Sequence, residues 1–126
     1  MRALCIPLCI LLALLITALW SSAYTQNLVC EWIVQIEEIS HALDNEYWYD
    51  TEAHILSAHK NWSHHMTFFH LIFNHQDLDE TEKYFAAALA ACKEADRVEL
   101  RINLAQLIVQ LTFLADTQEV SLRNIL

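Results

Sequence analysis

The chain has no glycine among its 126 residues, and its single proline is Pro7. The turns of β-rich domains often require positive φ and therefore favour glycine, so its absence predicts an all-α fold. Phosphate-binding loops, dinucleotide-binding turns and nucleophile elbows also need glycine, for backbone geometry or for close approach of a ligand. These three kinds of active site are therefore excluded.

Positive charge is also scarce, since seven Lys and Arg stand against 16 Asp and Glu and the formal net charge is -9. Arg2 is the sole charged side chain of residues 1–23, so residues 24–126 carry -10. A domain this acidic is repelled by phosphate backbones and by anionic lipid headgroups. We expect no nucleic-acid partner.

Residues 3–20 form an apolar run between Arg2 and Ser21-Ser22-Ala23. The run is longer than the core of about 7 to 15 residues in a signal peptide and reaches the range of about 17 to 25 that spans a membrane. Small residues suitable for cleavage follow it, so a signal-anchor and a cleaved signal peptide both stay open. In either case residues 1–23 are a targeting segment and residues 24–126 an extracytoplasmic domain.

Aromatic residues recur at intervals of seven between Glu46 and Asn74. This spacing keeps side chains on one face of a helix, so we predict one long helix over the whole range. Its apolar face is too large to be left in water, and other helices must cover it. The seven-residue series is Trp48, Ile55, Trp62 and Phe69, and Glu52, His59, Met66 and Phe73 follow its members by four residues.

Three further helices are predicted around this one. The first carries an apolar stripe from Leu28 to Leu43 and breaks near Asp44. Three Asp residues are each followed three residues later by Glu, as in a capping box that starts a helix. Asp77 marks the start of a third helix, Asp96 that of a fourth, and Asp116 that of a short terminal turn. Short connections make neighbours antiparallel, which predicts an N-terminal membrane helix followed by an up-and-down four-helix bundle.

The apolar positions of the last two helices predict which faces are buried. The third helix has a narrow stripe, whereas the fourth has a broad apolar face and is predicted to be the most buried helix. The residues are Leu78, Phe85, Leu89 and Cys92 in the third helix, and Val98, Ile102, Ala105, Val109, Thr112, Leu104, Leu107, Ile108 and Leu111 in the fourth.

Cysteines and histidines are the candidates for bridges and metal ligands. Cys30 and Cys92 lie at opposite ends of the predicted bundle, about 20 Å apart, so we predict two free, buried thiols. Chelation on a helix needs ligands three or four residues apart, whereas the closest regular pairs, such as His70 and His75, are five apart. A bound metal, a pH-responsive surface, and solvated or locally paired histidines are the alternatives. We expect the last, and no metal or cofactor; the seven histidines are His41, His54, His59, His64, His65, His70 and His75.

The acidic clusters fall at helix starts and on solvated faces, where carboxylates act as caps rather than as an acid/base pair. We therefore predict no catalytic residue and no enzymatic activity. The clusters are Glu37-Glu38, Asp77, Asp79, Glu80 and Glu82.

A Trp-rich helix with Trp48 and Trp62 follows the apolar segment, His75 leads into a junction ending at Glu82, and residues 121–126 read Ser-Leu-Arg-Asn-Ile-Leu. This order of features resembles the bacterial family called domain of unknown function 4363, of spore-forming Gram-positive bacteria. The resemblance implies a small membrane-anchored helical protein without an established activity. No catalytic residue is carried over from it.

Together these features predict a non-enzymatic accessory protein of the cell envelope, held in the membrane by residues 3–20, whose bundle stabilises or regulates another membrane protein. Surplus apolar side chains at Tyr47, Tyr49, Phe68 and Ile72 are the predicted docking face. The alternative is a cleaved, secreted helical protein that binds a small apolar ligand or acts as a ligand itself. The sequence leaves the oligomeric state open.

Overall fold

The computed structural model describes the backbone of residues 2–44 and 50–125 and the side chains of residues 2–43 and 50–118. Within these ranges 94% of the residues are helical and no strand is present, so the all-α prediction is confirmed. The helices are α1 (Arg2–Asp44), α2 (Thr51–His64), α3 (Met66–Ile72), α4 (His75–Lys93) and α5 (Arg97–Ile125).

The N-terminal apolar segment and the first helix of the folded domain form one continuous helix, α1. It has 43 residues, or about 65 Å at 1.5 Å per residue. Pro7 is its only proline and lies near its start, and no glycine follows that would favour a break. The described part of α1 reaches Asp44, and the break predicted at Asp44-Asn45 falls where the described residues stop.

The single helix predicted from Glu46 to Asn74 is wrong, because the chain is divided into α2 and α3 at His65. The backbone N–H of His65 donates to the Trp62 carbonyl at 3.1 Å, three residues back. In a regular helix it would bond the Asn61 carbonyl, but the His65 ring Nδ1 lies 2.9 Å from that oxygen and takes its place. The beginning of the predicted helix, with Trp48, lies outside the described residues.

Two predicted helix starts are also corrected. The third helix begins at His75 rather than Asp77, and its cap is Asn74, whose side chain accepts from the Gln76 N–H at 3.2 Å. Asp96 does cap α5, accepting from the Glu99 N–H at 3.1 Å. The start predicted at Asp116 is absent, since α5 continues through it.

The four longer helices pack in a circle in which α1 contacts α2 and α5, and α4 contacts the same two helices. The diagonal pairs α1–α4 and α2–α5 lie apart in the described ranges. Aromatic rings from four elements meet in the centre: Trp32 lies 5.4 Å from Trp62 and 5.7 Å from Phe69, and Trp62 lies 5.9 Å from Phe85, between ring centroids. These four side chains are fully buried. Three members of the seven-residue series, Ile55, Trp62 and Phe69, are therefore core residues as predicted.

All four cysteines are free thiols. Cys30 is exposed, so its predicted burial is wrong, and Cys92 is half-buried. Burial raises the pKa of the Cys92 thiol, and the negative charge of Glu52 raises it further.

Candidate functional site

Helix α5 carries two apolar seams on opposite sides. Leu100, Leu104, Leu107, Leu111 and Leu114 are fully buried and follow the alternating spacing of four and three. A second series with the same spacing begins two residues earlier, which places it about 200° around the helix axis. We call its exposed side chains, together with the neighbouring Phe113, the α5 stripe; the residues are Val98, Ile102, Ala105, Val109, Thr112 and Phe113.

The α5 stripe corrects the prediction that the whole apolar face of this helix is buried. Val98 and Val109 are each 70% exposed, and Phe113 and Ile102 are about half-exposed. Spacing of four and three is the signature of a coiled-coil seam. An exposed apolar patch of this kind is typical of a surface that binds another protein.

The docking face predicted from sequence is not reproduced where it is described. Phe68 is partly buried, with its ring centroid 6.5 Å from that of Tyr24, and Ile72 packs against the core. Tyr47 and Tyr49 lie outside the described residues. Sequence reasoning missed the α5 stripe because two seams on one helix look like one broad face.

The residues that follow the apolar run are packed into the folded domain. Ser22 and Thr25 are buried on α1, whereas Trp20 is 75% exposed. Tyr24 connects this part of α1 to the interruption between α2 and α3, because its hydroxyl lies 3.4 Å from His65 Nε2. The His65 Nδ1 faces a carbonyl oxygen and must be its protonated nitrogen, so Nε2 accepts from the tyrosine O–H.

Two helices in the described ranges are long and apolar enough to span a membrane by length and composition, Arg2–Leu43 and Arg97–Gln118. The first has its apolar N-terminal half exposed. The second reaches the required hydropathy because it carries both the buried leucine seam and the α5 stripe.

The predicted cap carboxylates stay near helix starts or on exposed faces, with one exception. Glu82 on α4 lies against His59 Nε2 and accepts from the Trp62 indole N–H at 3.0 Å. This cluster connects α4 to α2. No helical periodicity in the sequence indicated it, because the pairing depends on how two separate helices dock.

Histidines His70 and His75 are brought together across the α3–α4 junction, contrary to the expectation that they point around one helix. Their Nδ1 atoms lie 3.0 Å apart. In the described part of the chain no group of three or more His, Cys, Asp or Glu side chains is placed to hold a metal ion.

A family model described as a domain of unknown function, DUF4363, matches residues 19–125. No curated protein and no solved structure matches the chain.

Proposed function

Since the chain belongs to the DUF4363 family of helical proteins, whose activity the family description leaves unassigned, we propose that it is a membrane-anchored, extracytoplasmic and non-enzymatic accessory protein that binds another membrane protein. The observation that carries the proposal is the α5 stripe, an apolar coiled-coil-like seam left exposed on a helix whose opposite side is fully packed.

Retention of the N-terminal segment is supported by three observations. The family match starts at residue 19, before the cleavage position that Ala23 would offer. Ser22 is buried in the packed domain, and α1 runs through this region as one helix. Cleavage after Ala23 would remove part of a helix that packs against the rest of the chain, so the signal-anchor is the better interpretation.

The position of aromatic side chains agrees with an anchor. Trp20 ends the apolar run and Tyr24 follows it, and both are exposed, as is common for the aromatic belt at a membrane surface. The circle of contacts among α1, α2, α4 and α5 supports an up-and-down four-helix bundle that stands on this anchor.

The partner that fits the α5 stripe is an apolar helix of a second membrane protein. A seam spaced at four and three packs side by side against a helix with a similar seam. Anchoring both chains in one membrane raises their effective concentration, so a short seam suffices for binding. The acidic surface argues against docking on anionic headgroups instead.

The test is site-specific photocrosslinking in membranes. A photoreactive amino acid replaces Val109 or, as the control, Leu56. Leu56 is also an exposed apolar side chain, but it lies on α2. The expected result is one integral membrane protein crosslinked at Val109 and absent at Leu56, with the intact mass of the uncleaved chain. Adding Ile102→Glu should abolish the crosslink at Val109, because the two residues share the seam and a buried charge would oppose docking.

Three results would overturn parts of the proposal. A crosslink to a second copy of this chain would make the α5 stripe a self-association surface. Equal crosslinking at both positions would remove any role for the stripe. If the measured mass corresponds to residues 24–126 and the protein is found in the culture supernatant, the hypothesis of an anchored protein is wrong and that of a secreted protein takes its place.

A further inference from the structure

His70 and His75 meet where the chain passes from α3 to α4. His70 lies in the last turn of α3, and His75 is the first residue of α4. Between them Phe73 and Asn74 have extended backbones, with ψ of 155° and 139°. In an uninterrupted helix, residues five apart point about 140° away from each other. The two extended residues remove that separation and bring the rings to a centroid distance of 4.7 Å.

The distance between the two Nδ1 atoms is 3.0 Å. Late transition metals bind imidazole nitrogen at about 2.0 to 2.1 Å, so two ligands 90° apart are separated by about 2.9 Å, and two tetrahedral ligands by about 3.3 Å. The observed separation is close to the 90° value. The separation lets both imidazoles bind one ion, and Cu²⁺ and Ni²⁺ are ions that accept imidazole readily.

We propose that His70 and His75 form a two-imidazole chelate for Cu²⁺ or Ni²⁺ at the α3–α4 junction. Both side chains are exposed, so an ion reaches them without opening the core. Without metal, one Nδ1 donates its proton to the other. When an ion binds, the donor ring gives up the proton on Nδ1 and carries one on Nε2 instead, and both rings turn so that their Nδ1 lone pairs converge on the ion beside the former hydrogen bond.

The surroundings favour a cation. Residues 24–126 carry a formal charge of -10, and Asp77 and Asp79 follow His75 in the first turns of α4. The remaining coordination positions face solvent and are filled by water. This inference is independent of the α5 stripe and of the proposed membrane partner.

The test is calorimetric titration of CuCl₂ and NiCl₂ into the full-length protein in detergent, purified through a tag that contains no histidine. We expect one ion per chain. His70→Gln and His75→Gln should each weaken binding about tenfold or more, because the second imidazole binds intramolecularly in the intact site. His41→Gln, which changes another exposed histidine, should leave binding unchanged.

Electron paramagnetic resonance of the Cu²⁺ complex gives a second measurement. Hyperfine splitting should report two nitrogen ligands in the parent protein and one in either single variant. The proposal is wrong if no ion binds, if both variants bind as tightly as the parent, or if His41→Gln weakens binding equally. Circular dichroism should show the same helix content in all three variants, so weaker binding cannot be assigned to unfolding.

Discussion

Glu82 on α4 accepts a hydrogen bond from the indole N–H of Trp62 on α2, with 3.0 Å between the two heavy atoms. The other carboxylate oxygen of Glu82 contacts His59, which lies one turn before Trp62. A single side chain thus bonds two positions on the neighbouring helix. It connects the polar surface to the aromatic core, in which Trp62 packs against Trp32, Phe69 and Phe85.

Removing this carboxylate should destabilise the fold. Glu82→Ala is expected to lower the free energy of unfolding by about 1 kcal/mol, since two hydrogen bonds are lost but the side chain is partly solvated. Glu80→Ala is the matched control, because Glu80 accepts from the Tyr84 hydroxyl on the surface of the same helix and should cost less than about 0.5 kcal/mol. Urea unfolding of the full-length protein in detergent measures both, and equal losses would contradict the role of Glu82.

Trp32 and Trp62 provide a second comparison. Both are fully buried, but the Trp32 indole N–H has no hydrogen-bond partner among the described residues, whereas that of Trp62 donates to Glu82. Replacement by Phe removes similar volume at each position. Trp62→Phe should therefore cost about 1 kcal/mol more than Trp32→Phe, the difference being the lost hydrogen bond. Urea unfolding of both variants measures this difference in the free energy of unfolding. A larger loss for Trp32→Phe would show that packing outweighs the Trp62–Glu82 hydrogen bond.

The fold class and most core positions could be predicted because they follow from helical periodicity. The spacing of Ile55, Trp62 and Phe69 is unchanged by the interruption at His65, so the buried face was correct although the helix was not continuous. The interruption itself depends on a side chain competing for the Asn61 carbonyl, which no periodicity records. The meeting of His70 and His75 was missed for the same reason, since it depends on two extended residues.

The two seams of α5 show where periodicity is insufficient. Leu107 and Val109 are both apolar and lie on seams of identical spacing, so the spacing does not tell which one is buried. The choice depends on which side meets α1 and α4. The α5 stripe could therefore be identified only from the structure. The absence of glycine-dependent active sites, in contrast, follows from the amino-acid composition.

Substitution should lower stability strongly on the buried seam of α5 and hardly at all on the α5 stripe. Leu107→Ala removes a fully buried side chain and is expected to lower the free energy of unfolding by about 2 to 5 kcal/mol. Val109→Ala, two residues later and 70% exposed, should change it by less than about 0.5 kcal/mol. Thermal unfolding by circular dichroism distinguishes them, and a large loss for Val109→Ala would mean that the α5 stripe is covered within the chain.

Ala95 occupies a position that glycine normally takes. It follows α4 with φ of 54°, and the N–H groups of Ala95 and Asp96 bond the carbonyls of Cys92 and Ala91. These are the two hydrogen bonds of a Schellman motif, whose left-handed residue is usually glycine because a Cβ is unfavourable there. A chain without glycine therefore accepts a local strain at this turn.

Ala95→Gly should relieve that strain and raise the free energy of unfolding by about 0.5 to 1 kcal/mol, the gain being reduced by the greater freedom of glycine in the unfolded chain. Ala86→Gly is the control, because Ala86 lies exposed inside α4, where glycine should cost about 1 kcal/mol. The two variants have the same composition, so opposite shifts of the thermal midpoint must come from backbone conformation. A loss of stability in Ala95→Gly would show that the left-handed conformation is absent in solution.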